Sequence, residues 1–166
     1  DDCPIMAFSV AEDELRAMDV PPLVGHLAAW NYFQSVKSSG NRKFVRAFKK
    51  YCKKNKLPGG SKRVTDDPIE AAYFGVYVWK AAVEKAGTFD VDKVYGLGFD
   101  APGGKKRMHD SNQHTLKPVY VGEILKNGQF KIVWESDGLV SPDSYSRYLH
   151  PDGNYPKPTG GPKKKG

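Results

Sequence analysis

Apolar residues recur along this chain in blocks whose spacing changes from one segment to the next. Pro4–Val10 is a short, nearly continuous apolar run, which predicts a buried strand, and Ala11–Met18 reads as a short helix that stops before Pro21-Pro22. Leu23–Val36 is apolar and aromatic and contains Gly25, so it predicts an extended buried segment. From Asn41 to Lys56 the apolar residues Phe44, Val45, Phe48, Tyr51 and Cys52 return at helical spacing, with Arg42, Arg46, Lys49, Lys50 and Lys53 on the other faces. This is a basic amphipathic helix, closed by Leu57-Pro58-Gly59-Gly60.

A second helix is announced by Asp67-Pro68-Ile69-Glu70. Asp67 is placed to cap, Pro68 to occupy the first helical position, and Glu70 to reach back to the cap backbone. Its predicted core stripe is Ile69, Ala72, Tyr73, Val76, Tyr77, Lys80 and Val83, and Gly87 supplies the stop. Near the end, Val119–Leu125 and Gln129–Glu135 flank Asn127-Gly128, the strongest short-range signal for a β-hairpin.

Composition bounds these elements. The 166 residues are 39% hydrophobic, enough for one compact unit. No apolar run approaches the roughly 20 residues that cross a bilayer. Asp1-Asp2 at the start reads as a processed or truncated product, without a leading segment resembling a secretion signal. Cys3 and Cys52 allow one bridge at most, which excludes a disulfide framework.

Charge changes the picture more. The net charge is +7, yet no Asp or Glu occurs between Pro21 and Thr65, where eleven Lys and Arg residues lie. A Pro/Gly/Lys tail over 151–166, ending in Lys163, Lys164 and Lys165, cannot bury a core and stands apart from a body of residues 1–150. Arg42, Arg46, Lys49, Lys50 and Lys53, with the three tail lysines, are therefore expected to contact an anionic partner: an acidic protein, RNA or lipid headgroups.

Candidate chemistry is thin. His26, His109, His114 and His150 never fall at i, i+4, and neither cysteine lies near a histidine in sequence, so no metal site is expected. Gly96-Leu97-Gly98 and Gly103-Gly104 lack the strand-to-helix context of a phosphate loop and read as turns. No nucleophile elbow is present, and Asp66-Asp67 suits a cap better than paired acid/base carboxylates. Neither an enzyme nor a cofactor is expected.

Several ordered strings carry a resemblance: Phe8-Ser-Val-Ala-Glu-Asp-Glu-Leu15, Val24-Gly-His-Leu-Ala-Ala-Trp-Asn-Tyr-Phe33, Val64-Thr-Asp-Asp-Pro-Ile-Glu-Ala-Ala-Tyr-Phe-Gly-Val-Tyr-Val-Trp79, Phe99-Asp-Ala-Pro-Gly-Gly104 and Gly128-Gln-Phe-Lys-Ile-Val-Trp-Glu-Ser136. Together they resemble the C-terminal part of the substrate-binding protein of urea ABC transporters and, more distantly, the amide-sensing regulator of amidase operons. The resemblance implies a type I periplasmic-binding fold, two α/β lobes crossed by hinge strands, with a small amide between them. It covers only the final part of that longer chain. The expected fold is thus α/β, an incomplete type I periplasmic-binding-protein-like unit with a C-terminal β-hairpin.

Two functions from different classes follow. The first expectation is a non-catalytic structural subunit, a truncated solute-binding fold docking on a larger assembly through its basic face, in an organelle or a soluble complex. The second is binding of urea or a short-chain amide as part of a longer, periplasmic receptor, once the missing lobe portions are supplied. For that second reading the resemblance and position give Ser9, His26, Trp30 and Tyr32 as ligand contacts.

Overall fold

The computed structural model describes residues 3–94, 98–101, 104–109 and 114–141. A short strand β1 (Met6–Ala7) runs parallel to β2 (Leu27–Trp30), with Met6 opposite Leu27. The one-turn helix α1 (Glu12–Leu15) lies between them. Helices α2 (Ser39–Lys54) and α3 (Asp67–Ala86) follow. The rest of the described chain is β: β3 (Gly98–Ala101), β4 (Gly104–Met108), β5 (Thr115–Leu116), β6 (Tyr120–Ile124) and β7 (Phe130–Glu135). They form a four-stranded sheet in the order β1-β2-β6-β7 and a three-stranded sheet in the order β3-β4-β5. Among the described residues only the β1–β2 pair is parallel.

The predicted hairpin is β6–β7, with Gly128 at φ 70° in the turn, a conformation that favours glycine. A bulge at Val121/Gly122 shifts its register. At Gly122 the constraint is space, because a Cβ there would come within 2.8 Å of the Phe33 ring and 3.0 Å of Phe130 Cβ. Phe33 meets Phe130 in a tilted ring contact, 4.6 Å between centroids. These two rings, with Leu15, Ala28, Tyr120 and Ile124, make the sheet's core.

Helix α2 follows its periodicity. Ser38 caps it by accepting the Asn41 N–H (3.0 Å), and Asn41, Phe44 and Cys52 are buried, while Tyr51 faces solvent. Both cysteines are free, Cys3 exposed and Cys52 buried.

Three expectations are corrected. Pro4–Val10 is not a buried strand: two of its residues pair, and Ile5 and Phe8 are 67% and 71% exposed. Among the described residues β1 has a strand on one edge only, whereas parallel strands bury their apolar residues between neighbours and flanking helices. The cap of α3 is Asp66, not Asp67. Asp66 is the residue with extended backbone, and its carboxylate accepts the Ile69 N–H at 2.9 Å. Asp67 and Pro68 thereby become the first two helical positions, and Glu70 turns inward to pair with Lys106. Finally, the stripe expected to face the core is largely outside, with Tyr73, Val76 and Tyr77 exposed and Glu70, Phe74 and Ala82 buried. Helix α3 is apolar around most of its circumference, so spacing alone does not select a face. The buried Lys106–Glu70 pair selects it, with the Lys106 ammonium 4.7 Å from the Phe74 ring centroid.

Candidate functional site

The region with the most polar structure is the segment leaving β2, where the chain passes from the sheet to the helices. Tyr32 is fully buried; its hydroxyl donates to Asn41 Oδ1 at 2.7 Å and lies 2.9 Å from Thr65 Oγ1. Asn41 donates in turn to the carbonyls of Gln34 and Val36. The Gln34 side chain accepts the Thr65 N–H (3.0 Å) and donates to Gln129 (2.5 Å), and its own backbone N–H donates to Glu12 Oε1 at 2.7 Å. One residue therefore ties α1, the starts of α2 and α3, and the β6–β7 turn.

Buried carboxylates surround this node. Glu12 is fully buried and its Oε2 lacks a protein donor; burial pushes its pKa up to about 8, aided by the charges of Asp66 and Asp67. Asp66 and Asp67 are raised as well, chiefly by burial. The 35–38 segment also lines an open groove of about 830 Å³. Its walls are Ser35–Ser38, Tyr120, Gly104 and the strand residues Lys131–Glu135, among them an exposed Trp134. The buried Ser35 Oγ in that wall has no protein partner.

The residues singled out from sequence are not gathered in this groove. Ser9 is exposed just beyond β1. His26 Nδ1 accepts the Ile5 N–H (3.3 Å) and its carbonyl accepts the Ile124 N–H (2.9 Å), so His26 stitches β1 and β6 beside β2. Trp30 Nε1 donates to the Val10 carbonyl (2.9 Å), and Tyr32 belongs to the buried node. Sequence reasoning passed over Gln34, Ser35, Lys131 and Glu12, whose roles rest on contacts up to 95 residues apart and on no local spacing. Arg42, Arg46, Lys50 and Lys53 are exposed and Lys49 is half-buried; among the described residues none of the five is in an ion pair. Lys163–Lys165, like Gly96, Leu97, Gly103 and His150, lie outside the described residues. No group of His, Cys, Asp and Glu among the described residues could hold a metal ion.

The four-stranded sheet joins one parallel pair to two antiparallel ones, and helices α2 and α3 fall between β2 and β6 in the chain, so the arrangement is a mixed α/β one. Residues 1–151 match the periplasmic binding protein domain family, and the chain belongs to it. Its architecture is an incomplete type I periplasmic-binding fold, that of the solute-binding proteins of ABC transporters. A solute-binding protein of an ABC transporter from Rhodopseudomonas palustris, solved with 3,4-dihydroxybenzoic acid, superposes with a TM-score of 0.69 at 18% identity, over 84% of this chain and 38% of that one. A leucine binding protein from Thermotoga maritima gives 0.60 at 21% identity, over 87% and 39%. A curated relative named limonene hydroxylase, from Geobacillus stearothermophilus, is 30% identical over 117 residues, 68% of this chain and 20% of its own length. The chain thus spans a fifth of that relative and under two fifths of either solved structure.

Proposed function

We propose that this chain is the crossing-strand portion of an ABC-transporter solute receptor, and that the solute is urea or a short-chain amide. The observation that carries the reading is the family match over residues 1–151, with crossing strands and a groove intact in the fold. The relatives' own solutes, an aromatic acid and an amino acid, differ too much to set the ligand. The urea-transporter strings, above all Val24–Phe33 and Val64–Trp79, point to the amide class. Urea requires donors for its carbonyl and acceptors for its N–H groups in a partly dry site. The groove wall offers Lys37 as donor and Glu135 as acceptor.

The test is titration calorimetry with urea, acetamide and formamide, on the chain alone and on the chain joined to the remainder of a solute-binding fold. Heat with one-to-one stoichiometry is expected in the joined protein, and Lys37→Met and Glu135→Gln should each weaken it about tenfold, the size of one lost hydrogen bond to a polar solute. Silence from a folded, joined protein would sink the reading.

A second reading, docking on an anionic partner through α2, is favoured by the five cations that find no carboxylate among the described residues. Its test is charge reversal of Arg46, Lys49 and Lys53, followed by assembly measured at physiological salt. Unchanged assembly would discard it.

A further inference from the structure

Helix α2 turns a row of cations to the solvent. Arg42, Arg46, Lys50 and Lys54 follow one another at i, i+4, so they form a single ridge with one cation per turn, about 6 Å apart along the axis. All four are exposed, as are Lys43 and Lys53 beside the ridge. Like charges at this spacing repel, and the whole stretch from Pro21 to Thr65 supplies no acid to offset them. Among the described residues none of the six is in an ion pair. Tyr51 is 61% exposed and lies three residues before Lys54, which makes it a neighbour of the ridge on the helix surface.

We propose that this ridge, with Tyr51, is a binding surface for single-stranded nucleic acid, its cations following the phosphates and the tyrosine ring taking a base. The inference rests on the anionic-partner reading of α2 and narrows it to one partner. Charge density argues for a strand. The six cations lie over roughly 18 Å of helix axis, about one per 3 Å, and each strand of duplex DNA carries one charge per about 3.4 Å. The other anionic partners fit this face less well. A helix that lies in a lipid surface sinks an apolar face into it, whereas Phe44 and Cys52 of α2 are buried in its own fold. Protein interfaces are depleted of charge at their centre, and between Arg42 and Lys54 only Ala47 and Tyr51 interrupt the exposed cations. A strand of phosphates needs no apolar centre, and an exposed ring beside a basic row stacks on a base of any identity.

The experiment follows the fluorescence anisotropy of a labelled oligouridylate of about 20 nucleotides mixed with the full chain from about 50 to 200 mM salt. The logarithm of affinity should fall against the logarithm of salt with a slope of about 3, roughly 0.7 for each of the four phosphates met by the ridge. Arg46→Glu combined with Lys50→Glu should weaken binding at least tenfold and flatten the slope. Tyr51→Ala should weaken it about fivefold with the slope unchanged, because stacking releases no counterions. Lys85→Glu combined with Lys126→Glu makes the same change of net charge at exposed positions off the ridge and should leave binding unaltered. Circular dichroism identifies any variant that fails to fold, and the slope of the unaltered chain needs no variant. An equal loss with the Lys85 and Lys126 pair overturns the proposal, because it assigns binding to net charge. Phosphatidylserine vesicles or polyglutamate bound through Arg46 and Lys50 as tightly as the oligouridylate also overturn it, while the anionic-partner reading stands with a lipid or an acidic protein in that place. No binding to any of the three sinks both.

Discussion

Helices α2 and α3 lie next to each other, joined through Phe44 and Tyr73, and they meet water in opposite ways. Helix α2 divides by polarity except at Tyr51: Phe44 and Cys52 go in, and a face of lysines and arginines goes out. Helix α3 sends two acids, Asp67 and Glu70, inward and leaves tyrosines, a valine and a tryptophan outside. The first is a finished surface helix. The second leaves an apolar face in solvent, and its inward charges hold its orientation against its apolar pattern.

The sharpest way to break that contrast is to remove the charge that orients α3. Lys106→Met leaves the buried Glu70 without its cation, and a loss of about 3–5 kcal/mol in urea denaturation is expected. Pairing it with Glu70→Leu should recover most of that loss, since an apolar pair replaces a buried ion pair at little cost. If the double variant is no better than the single, the ion pair does not orient the helix.

Next in size is the node that joins the two helices. The unfolded chain releases the Glu12 proton near the ordinary value of 4.5, whereas the folded chain holds it to about pH 8. The stability that this proton contributes is therefore complete below the lower value and is lost as pH rises through the higher one. Asp66 and Asp67, raised in the same direction, add to the trend. Glu12→Gln keeps the acceptor for the Gln34 N–H and removes the titration, so the slope of stability against pH above about pH 5 should flatten. An unchanged slope would place the titration elsewhere.

The caps come third. Ser38→Ala in α2 and Asp66→Ala in α3 should each cost about 1 kcal/mol. Asp67→Asn should be neutral or slightly stabilising, because Asp67 Oδ1 is buried without a protein donor. A larger loss at position 67 than at 66 would return the cap to Asp67. Smallest of all, reversing Arg46, Lys50 and Lys53 singly should leave folding stability within about 0.5 kcal/mol, since exposed charges outside ion pairs contribute little.

What was legible in the sequence follows the same division. Helix α2 and the β6–β7 hairpin were readable because their signals are local: a 3.6-residue period in one, Asn127-Gly128 in the other. The start of α3 was readable to within one residue, because Asp66 and Asp67 are chemically equivalent candidates and only backbone conformation separates them. Its buried face was not readable. An all-round apolar helix has no unique stripe, and the deciding partner, Lys106, lies 36 residues from Glu70. The exposure of Ile5 and Phe8 escaped for a related reason: their spacing describes the sheet they suit, and the described residues supply one neighbouring strand. The groove was invisible because Ser35, Tyr120 and Lys131 meet only once the chain has crossed back on itself.

Gly122 ties these regions together mechanically. The Phe33 ring rests directly on its backbone, and Phe33 is followed at once by Gln34, the residue that holds Glu12, Thr65 and Gln129. A methyl group at 122 would act as a wedge under that ring. The displacement would be felt in the bulge of the hairpin and also in the bonds between α1 and the segment before α3. Sheet geometry and helix placement thus share one fulcrum, and its setting depends on the absence of a side chain.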